Sequence, residues 1–178
     1  MMAHDKRVTE FKRLVNINDL ELLIPQVIDI TANKSERELL SERCLVLSVN
    51  SFTARITIIK SSSHEFEAKG SLKAEVSQIC VVTLEMMINQ ISTQFVQKYS
   101  TRDLNISDDL VIGPDDEQPP DPIVSDDIDL GELASEYLLL SIDPYPRSIE
   151  TDDKLYEVNT NTKEDGPFSN LKGLLDGN

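Results

Sequence analysis

Residues 65–76, EFEAKGSLKAEV, alternate apolar or small side chains with polar ones through the whole stretch. The apolar and small members are Phe66, Ala68, Gly70, Leu72, Ala74 and Val76. A period of two over this length predicts a β-strand with one face buried and the other face in water. The stretch therefore predicts a sheet that carries a hydrophobic core on one side.

The residues around this strand predict more of the same sheet. β-Branched residues bounded by turn residues predict strands at 11–15, 27–31, 45–49 and 53–59. The short connections between neighbouring strands favour antiparallel hairpins. The stretch 88–99 fits both a strand and a helix by its apolar spacing, and we assign it to a strand.

Two helices are marked by capping residues. Ser35 and Glu38 match a capping box, which predicts a helix over 36–43. Asp129 and Glu132 form an Asp variant of the same box, followed by one apolar stripe, which predicts a helix over 129–142 that ends before Pro144. A short amphipathic turn is predicted over 170–175. The expected fold class is α+β, a bent antiparallel sheet or partly closed barrel packed by two or three short helices.

The charge of the chain is concentrated in one segment. Its 178 residues carry 17 Lys and Arg against 32 Asp and Glu, a net charge of −15. Residues 103–146 hold 13 acidic and no basic residues, whereas residues 1–102 are nearly balanced. Because 103–127 also contains four prolines, we expect a flexible acidic loop within a single domain over 1–178. The alternative is an acidic arm that mimics nucleic acid or binds a basic protein.

The sequence argues against several classes of protein. The longest apolar runs have four residues, far short of the ~20 that a membrane span needs. Two cysteines cannot form a disulfide framework, and no apolar segment follows the charged N-terminus as a secretory signal would. We therefore expect a cytoplasmic protein with no membrane partner.

Residues for catalysis or metal binding are sparse. The glycines do not form a phosphate-binding loop, and neither His4 nor His64 lies in a pattern expected of a catalytic base. Cys44 and Cys80 are isolated, without the paired ligands of a zinc site. The Asp residues at 126–129 lack the Gly and Glu positions of a calcium loop. We predict no enzyme activity, cofactor, metal site or small-molecule substrate.

One segment suits a partner surface. Pro144 and Pro146 flank Tyr145 and restrict its backbone, and Arg147 follows directly. Aromatic and guanidinium groups on a rigid segment are typical of binding surfaces for protein or RNA. The alternative is structural, with Tyr145 covering the core and Arg147 interacting with the dipole of the preceding helix.

Several stretches between about Phe11 and Leu175 are distinctive in their order and spacing. They are Ala32…Glu36-Arg37, Gly70–Ala74, Gln78–Glu85, Asp129-Leu130-Gly131-Glu132, Asp143–Arg147 and Pro167-Phe168. In these stretches the chain resembles the YceD family of large ribosomal RNA subunit accumulation proteins, in its alphaproteobacterial form. The family-motif residues are Cys80, Thr83, Asp129, Gly131, Glu132, Pro144, Pro146 and Phe168. Many members carry a second Cys where this chain has Thr83, and a Pro where it has Met86.

The resemblance implies a non-enzymatic ribosome biogenesis factor, needed for 23S rRNA to accumulate and for the large ribosomal subunit to assemble. We expect it to bind precursor rRNA through exposed residues, with Tyr145, Arg147, Arg55, Lys69 and Lys73 as candidates. The alternative is an acidic chaperone for a basic large-subunit ribosomal protein, recognised through charge complementarity. A continuous positive face would favour RNA, and its absence would favour protein.

Overall fold

The computed structural model describes residues 10–102 and 119–148. The chain divides into two compact units, of which the first comprises Met1–Gln78 and Ile88–Ile142. The second comprises Ile79–Met87 and Asp143–Asn178. Within the described residues, no helix is long and apolar enough to cross a membrane. A single domain over 1–178 stays a prediction.

The described residues form two sheets and two α-helices, which confirms the α+β class. The elements are β1 (Leu14–Asn16), β2 (Gln26–Thr31), α1 (Lys34–Cys44), β3 (Ser48–Lys60), β4 (Glu65–Ile79), β5 (Met86–Ser100), β6 (Asp121–Pro122), β7 (Asp127–Asp129) and α2 (Leu130–Ser141), with a 3-10 turn at Ile17–Asp19. Five strands form one sheet in the order β2-β3-β4-β5-β6, and β1 pairs with β7 in a separate small sheet.

The five-stranded sheet is open among the described residues, so the option of a partly closed barrel is not supported. β2, β3 and β4 pair in antiparallel fashion, as the short connections predict. β6 pairs with β5 in parallel, so the expectation of a wholly antiparallel sheet is wrong at this edge. The reason is that β6 reaches the sheet through the long acidic connection rather than through a tight turn.

The alternation in β4 is confirmed. Phe66, Ala68, Leu72, Ala74 and Val76 are all buried in the core. Gly70 occupies the one inward position without a side chain, because a Cβ atom there would lie 2.3 Å from the ring of Phe95 on β5. The Phe95 ring, in turn, stacks on Tyr137 of α2 at 4.5 Å between centroids.

The two strands predicted at 45–49 and 53–59 are one long strand, β3. Asn50 is an extra residue at an irregularity between Val49 and Ser51, where the sequence suggested a turn. Residues 45–47 precede the strand, since Leu45 ends α1 in the left-handed region with φ 54°. The strand assignment of 88–99 is confirmed by β5.

Helix α1 begins earlier than predicted, at Lys34, because its capping box is Asn33 with Glu36 rather than Ser35 with Glu38. The Asn33 side chain accepts from the Glu36 backbone N–H at 3.0 Å, and Glu36 accepts from the Asn33 N–H at 2.8 Å. Asn33 with Glu36 and Ser35 with Glu38 both have the three-residue spacing of a capping box, so the sequence does not decide between them. Glu36 of this capping box also forms a bidentate ion pair with Arg13, a contact that the sequence pattern alone does not reveal.

Helix α2 matches its prediction, with Asp129 as N-cap. Its apolar stripe is buried with the inner face of the sheet in one core, at Leu130, Leu133, Ala134 and Leu138. The predicted turn at 170–175, Phe168 and residues 103–118 lie outside the described residues. The described part of the expected acidic loop, 119–127, contains β6 and the first residue of β7. Its flexibility stays a prediction.

Candidate functional site

Three of the four basic residues proposed for RNA contact lie on the outer face of the sheet. In the register of β3 and β4, Arg55 lies opposite Ser71, and Lys69 and Lys73 flank Ser71 on the same strand. Diagonal neighbours of this kind are ~7–8 Å apart at the backbone. The sequence alternation therefore correctly placed these cations on one exposed face.

Acidic neighbours neutralise two of these three cations. The Arg55 guanidinium forms two hydrogen bonds with Asp29 of β2, at 2.6 and 3.0 Å. This pair lowers the pKa of Asp29 and raises the pKa of Arg55, chiefly through those hydrogen bonds. Lys69 Nζ lies 2.6 Å from the Glu67 carboxylate. Lys73 forms no ion pair with another described residue. The face is thus balanced in charge rather than continuously positive.

The Asp129 motif serves the fold. One oxygen of Asp129, Oδ1, accepts from the backbone N–H groups of Arg13, Gly131 and Glu132 at 2.8, 3.0 and 3.2 Å. The first bond ties the N-terminal segment to α2, and the other two cap the helix. Asp129 therefore has a structural role, and its Oδ1 is already occupied by three backbone donors.

The next two motif residues also have a structural role. Gly131 is buried against the N-terminal segment, where a Cβ atom would lie 2.2 Å from the backbone oxygen of Phe11. Glu132 forms a bidentate ion pair with Arg43 of α1, with N–O distances of 2.7 and 2.9 Å. The pKa of Arg43 is raised mainly by this hydrogen bonding. Together these residues fix α2 to α1 and to the chain around Phe11.

The second unit contains a tight turn over 80–85, here called the Cys80 turn. The Cys80 N–H donates to the Glu85 carbonyl at 2.9 Å, and the Leu84 N–H donates to the Cys80 carbonyl at 2.9 Å. Leu84 adopts the left-handed region with φ 60°, and its side chain is 76% exposed. A leucine in this conformation is strained, so the turn projects an apolar side chain at a cost in stability.

The Cys80 thiol is buried and surrounded by hydrogen-bond donors. Backbone N–H groups of Thr83 and Ser148 lie 3.5 Å from its Sγ. Hydrogen bonds from the Thr83 side chain and from the backbones of Thr83, Ser148 and Val82 lower its pKa to about 6. In contrast, burial raises the pKa of the Cys44 thiol to about 11. The fold thus favours the thiolate at Cys80 and the thiol at Cys44.

We expect two separate thiol titrations, one near pH 6 and one near pH 11. Because the pKa of Cys80 is lower in the folded chain than in the unfolded chain, the thiolate stabilises the fold above pH 9. That contribution is lost as the pH falls through 6. Thiolate absorbance near 240 nm should therefore lose its lower step in Cys80→Ala and its upper step in Cys44→Ala. A wild-type titration with no step below pH 8 would contradict this assignment.

The proline-flanked segment presents its side chains to solvent. Tyr145 is 72% exposed, so it does not cover a core, and Arg147 is also exposed. The backbone is fixed by a hydrogen bond from the Tyr145 N–H to Asp143 Oδ1 at 2.8 Å. Pro146 is buried, and its carbonyl accepts from the Val81 N–H at 2.9 Å. This geometry agrees with a rigid display of Tyr145 and Arg147.

The Cys80 turn and the proline-flanked segment are joined by the hydrogen bond from the Val81 N–H to the Pro146 carbonyl. Their exposed residues, which we call the Tyr145 surface, are Val81, Val82, Leu84, Tyr145 and Arg147. Val81 and Val82 are each 44% exposed and add apolar area to this surface. Aromatic and Arg side chains among apolar neighbours are the residue types enriched at protein interfaces.

A protein-family model matches residues 68–175, and its description is large ribosomal RNA subunit accumulation protein YceD. The chain belongs to the YceD family. No curated protein and no solved structure gives a significant match. The matched range contains Cys80, the Asp129 motif and the Tyr145 surface, whereas β1, β2, α1 and β3 precede it. The resemblance to the family is thereby confirmed over 68–175, and the part expected from about residue 11 to residue 67 lies outside the match.

Some important residues were not predicted. Arg13 and Arg43 each bind carboxylates from distant elements, and only their charge could have drawn attention to them. The exposed leucine at 84 looks in the sequence like a residue of a buried strand end. Its left-handed backbone arises from the closure of the Cys80 turn, which depends on residues on both sides.

Proposed function

We propose that this chain is a non-enzymatic ribosome biogenesis factor that promotes accumulation of 23S rRNA and assembly of the large ribosomal subunit. Membership of the YceD family supports this role, since the family is described by large ribosomal RNA subunit accumulation. A factor of this kind acts in the cytoplasm, where ribosomal subunits assemble. The role requires no cofactor, small-molecule substrate or membrane partner.

We further propose that the direct partner is a basic large-subunit ribosomal protein. The observation that carries this choice is the pairing of Arg55 with Asp29 and of Lys69 with Glu67 on the exposed sheet face. Phosphate binding depends on cations that are free to replace counterions along the RNA backbone. A face whose cations are already paired suits that task poorly, and a net charge of −15 favours a cationic partner.

Precursor rRNA is the second candidate partner. It is supported by Lys73 and Arg147, which are exposed and form no ion pair with another described residue. Two cations would add only a weak phosphate contact unless bases also stack on Tyr145. RNA binding would therefore show a shallow dependence on salt concentration.

The test is to delete the gene and to measure 23S and 16S rRNA separately. We expect 23S rRNA to fall relative to 16S rRNA, and a copy of the wild-type gene to restore it. Immunoprecipitation of the protein should recover a basic large-subunit protein after nuclease treatment. Unchanged 23S rRNA would overturn the proposed role, and recovery lost on nuclease treatment would assign the contact to RNA.

The Tyr145 surface makes a sharper prediction. Tyr145→Ala with Arg147→Ala should weaken co-sedimentation with large-subunit precursors about tenfold or more, because a rigid segment binds with little loss of conformational entropy. An Arg that contacts RNA or an acidic protein surface contributes ~1–3 kcal/mol. The melting temperature should change little, since both side chains are exposed.

The matched control is Lys34→Ala with Lys60→Ala, which removes charge from the first unit alone. Normal co-sedimentation of the Tyr145 and Arg147 double variant would contradict a role in recognition. A melting temperature well below that of the wild type would instead show that the pair stabilises the fold.

A further inference from the structure

One edge of the five-stranded sheet is formed by β2, and no described strand covers it. The other edge is formed by β5, which the two-residue β6 covers only at Tyr99 and Ser100. β2 pairs with β3 on one side only, through Gln26 to Thr31. An uncovered edge presents a row of backbone donors and acceptors that a further strand can pair with.

The hydrogen-bond pattern identifies the free backbone groups. The Ala32 N–H donates to the Phe52 carbonyl at 3.0 Å, which continues the register of β2 on β3. Hydrogen-bonded positions alternate in an antiparallel pair, so even-numbered residues of β2 face β3 and odd-numbered residues face outward. The N–H and C=O groups of Val27 and Asp29 therefore point to the open edge. Arg13 closes the far end by donating to the Thr31 carbonyl at 3.1 Å.

β2 has few of the features with which proteins commonly protect a sheet edge. It contains no Lys, Pro or bulge, Pro25 lies before the strand, and its one charged residue, Asp29, is paired with Arg55 of β3. The residues that lead into it are apolar and exposed: Leu22 by 55%, Leu23 by 65% and Ile24 by 55%, followed by Val27 by 59%. Leu23 also holds a left-handed backbone, with φ 62°. Leucine residues beside the open edge are thus exposed, and Leu23 also has a strained backbone.

The charges near the edge favour one kind of binding partner over another. Residues 14–33 contain no Lys or Arg. Asp29 is already paired with Arg55, whereas Asp19 and Glu21 form no ion pair with another described residue. A second copy of the chain would bring two such segments together, each in a protein of net charge −15, so like charges oppose self-pairing. An extended segment that carries Lys or Arg gains from the same charges.

We propose that the open edge of β2 binds an extended, basic and apolar peptide segment by strand addition. This rests on the proposed function, in which the partner is a basic ribosomal protein, and it names the part of that partner that binds. Backbone hydrogen bonds to Val27 and Asp29 supply the register. Leu22, Leu23 and Ile24 supply apolar contact, and Asp19 and Glu21 supply the preference for cationic side chains.

The test uses the full chain and a fluorescent octapeptide of alternating Lys and Val, measured by anisotropy. Two probes serve as controls: the same peptide with alternate backbone nitrogens methylated, and a peptide with Glu in place of Lys. We expect both to bind at least tenfold more weakly than the first. Methylation keeps charge and side chains, so equal binding by the methylated peptide would overturn strand addition.

The variant Val27→Pro removes an N–H that points away from β3, so it costs the sheet no hydrogen bond. We expect it to weaken binding of the Lys–Val peptide about tenfold, whereas Val27→Thr, which keeps the N–H, should bind normally. Unchanged binding by Val27→Pro would overturn the proposal. So would a concentration-dependent dimer that Val27→Pro abolishes in sedimentation, because the edge would then belong to a second copy.

Failure of this inference can be distinguished from failure of the proposed function. The 23S rRNA measurement after gene deletion tests the role and does not depend on how the partner binds. If deletion lowers 23S rRNA but the methylated peptide binds as well as its parent, the role stands and strand addition is wrong. If deletion has no effect while the peptides discriminate as expected, the edge binds basic segments and the role is wrong.

Discussion

Gly131→Ala should destabilise the protein by about 3 kcal/mol or more, although replacing Gly with Ala in a helix usually stabilises a protein. In an exposed helix, replacing Gly with Ala gains about 1 kcal/mol. At Gly131 the added Cβ would lie 2.2 Å from the Phe11 oxygen and 2.9 Å from the Arg13 nitrogen, both in the backbone. Backbone cannot rotate aside as a side chain can, so α2 must move away from the N-terminal segment.

That movement would also disturb contacts that depend on the position of α2. The Arg13 N–H bond to Asp129 and the bidentate Arg43–Glu132 pair both join α2 to other elements. We therefore expect a lower midpoint in chemical denaturation, measured by circular dichroism. A decrease of less than 1 kcal/mol would contradict the close approach at Gly131.

Two comparisons sharpen this result. Leu140→Ala changes a side chain that is 78% exposed on the same helix, and should alter stability by less than ~0.5 kcal/mol. Gly70→Ala meets only the ring of Phe95, so we expect an intermediate loss of about 1–3 kcal/mol. We expect the loss of stability to be largest for Gly131→Ala, intermediate for Gly70→Ala and smallest for Leu140→Ala. This order tests whether a close backbone atom costs more than a close side-chain atom.

The alternation in residues 65–76 and the Asp129 cap predicted much of the fold, because both are local signals. The period of β4 depends only on which residues face the core. The cap of α2 depends on residues three positions apart. Helix α1 shows the limit of this reasoning, since Ser35 and Asn33 both precede a suitably spaced Glu, and Arg13 pairs with the Glu36 of the true box.

The sequence predicted which residues lie on the exposed sheet face, but it did not predict which of their charges are paired. The sequence placed Arg55, Lys69 and Lys73 on one face, and the register of β3 and β4 agrees. It could not show that Asp29 lies opposite Arg55, because that contact depends on the register of β2, a strand distant along the chain. The Arg55–Asp29 pair between β3 and β2 and the Lys69–Glu67 pair within β4 are therefore the reason that we prefer a protein to RNA as the proposed partner.

Two sets of residues within the motif stretches have different expected phenotypes. Asp129 and Glu132 bind backbone groups or Arg43, and Gly131 packs against the backbone of Phe11, so their substitution should lower stability first. Tyr145 and Arg147 are exposed, so their substitution should lower binding first. The sequence does not distinguish the two sets, and only the contacts separate them.

Asp129→Ala should destabilise the protein by about 2–3 kcal/mol, because it removes the acceptor of three backbone N–H groups. Loss of a helix N-cap costs about 1–2 kcal/mol, and an unpaired, partly buried Arg13 N–H adds about 1 kcal/mol. For a chain of this size the melting temperature should fall by roughly 5–10 °C. Thermal unfolding followed by circular dichroism measures the change.

Asp129→Asn separates this structural role from a direct contact with a partner. The amide keeps an oxygen that can accept from Arg13, Gly131 and Glu132, and Asn is as good an N-cap as Asp. We therefore expect Asn to recover most of the lost stability and to restore 23S rRNA in cells that lack the gene. If Asn is stable but fails to restore 23S rRNA, the charge of Asp129 contacts the partner. If Ala melts like the wild type, the three hydrogen bonds do not hold α2 in place.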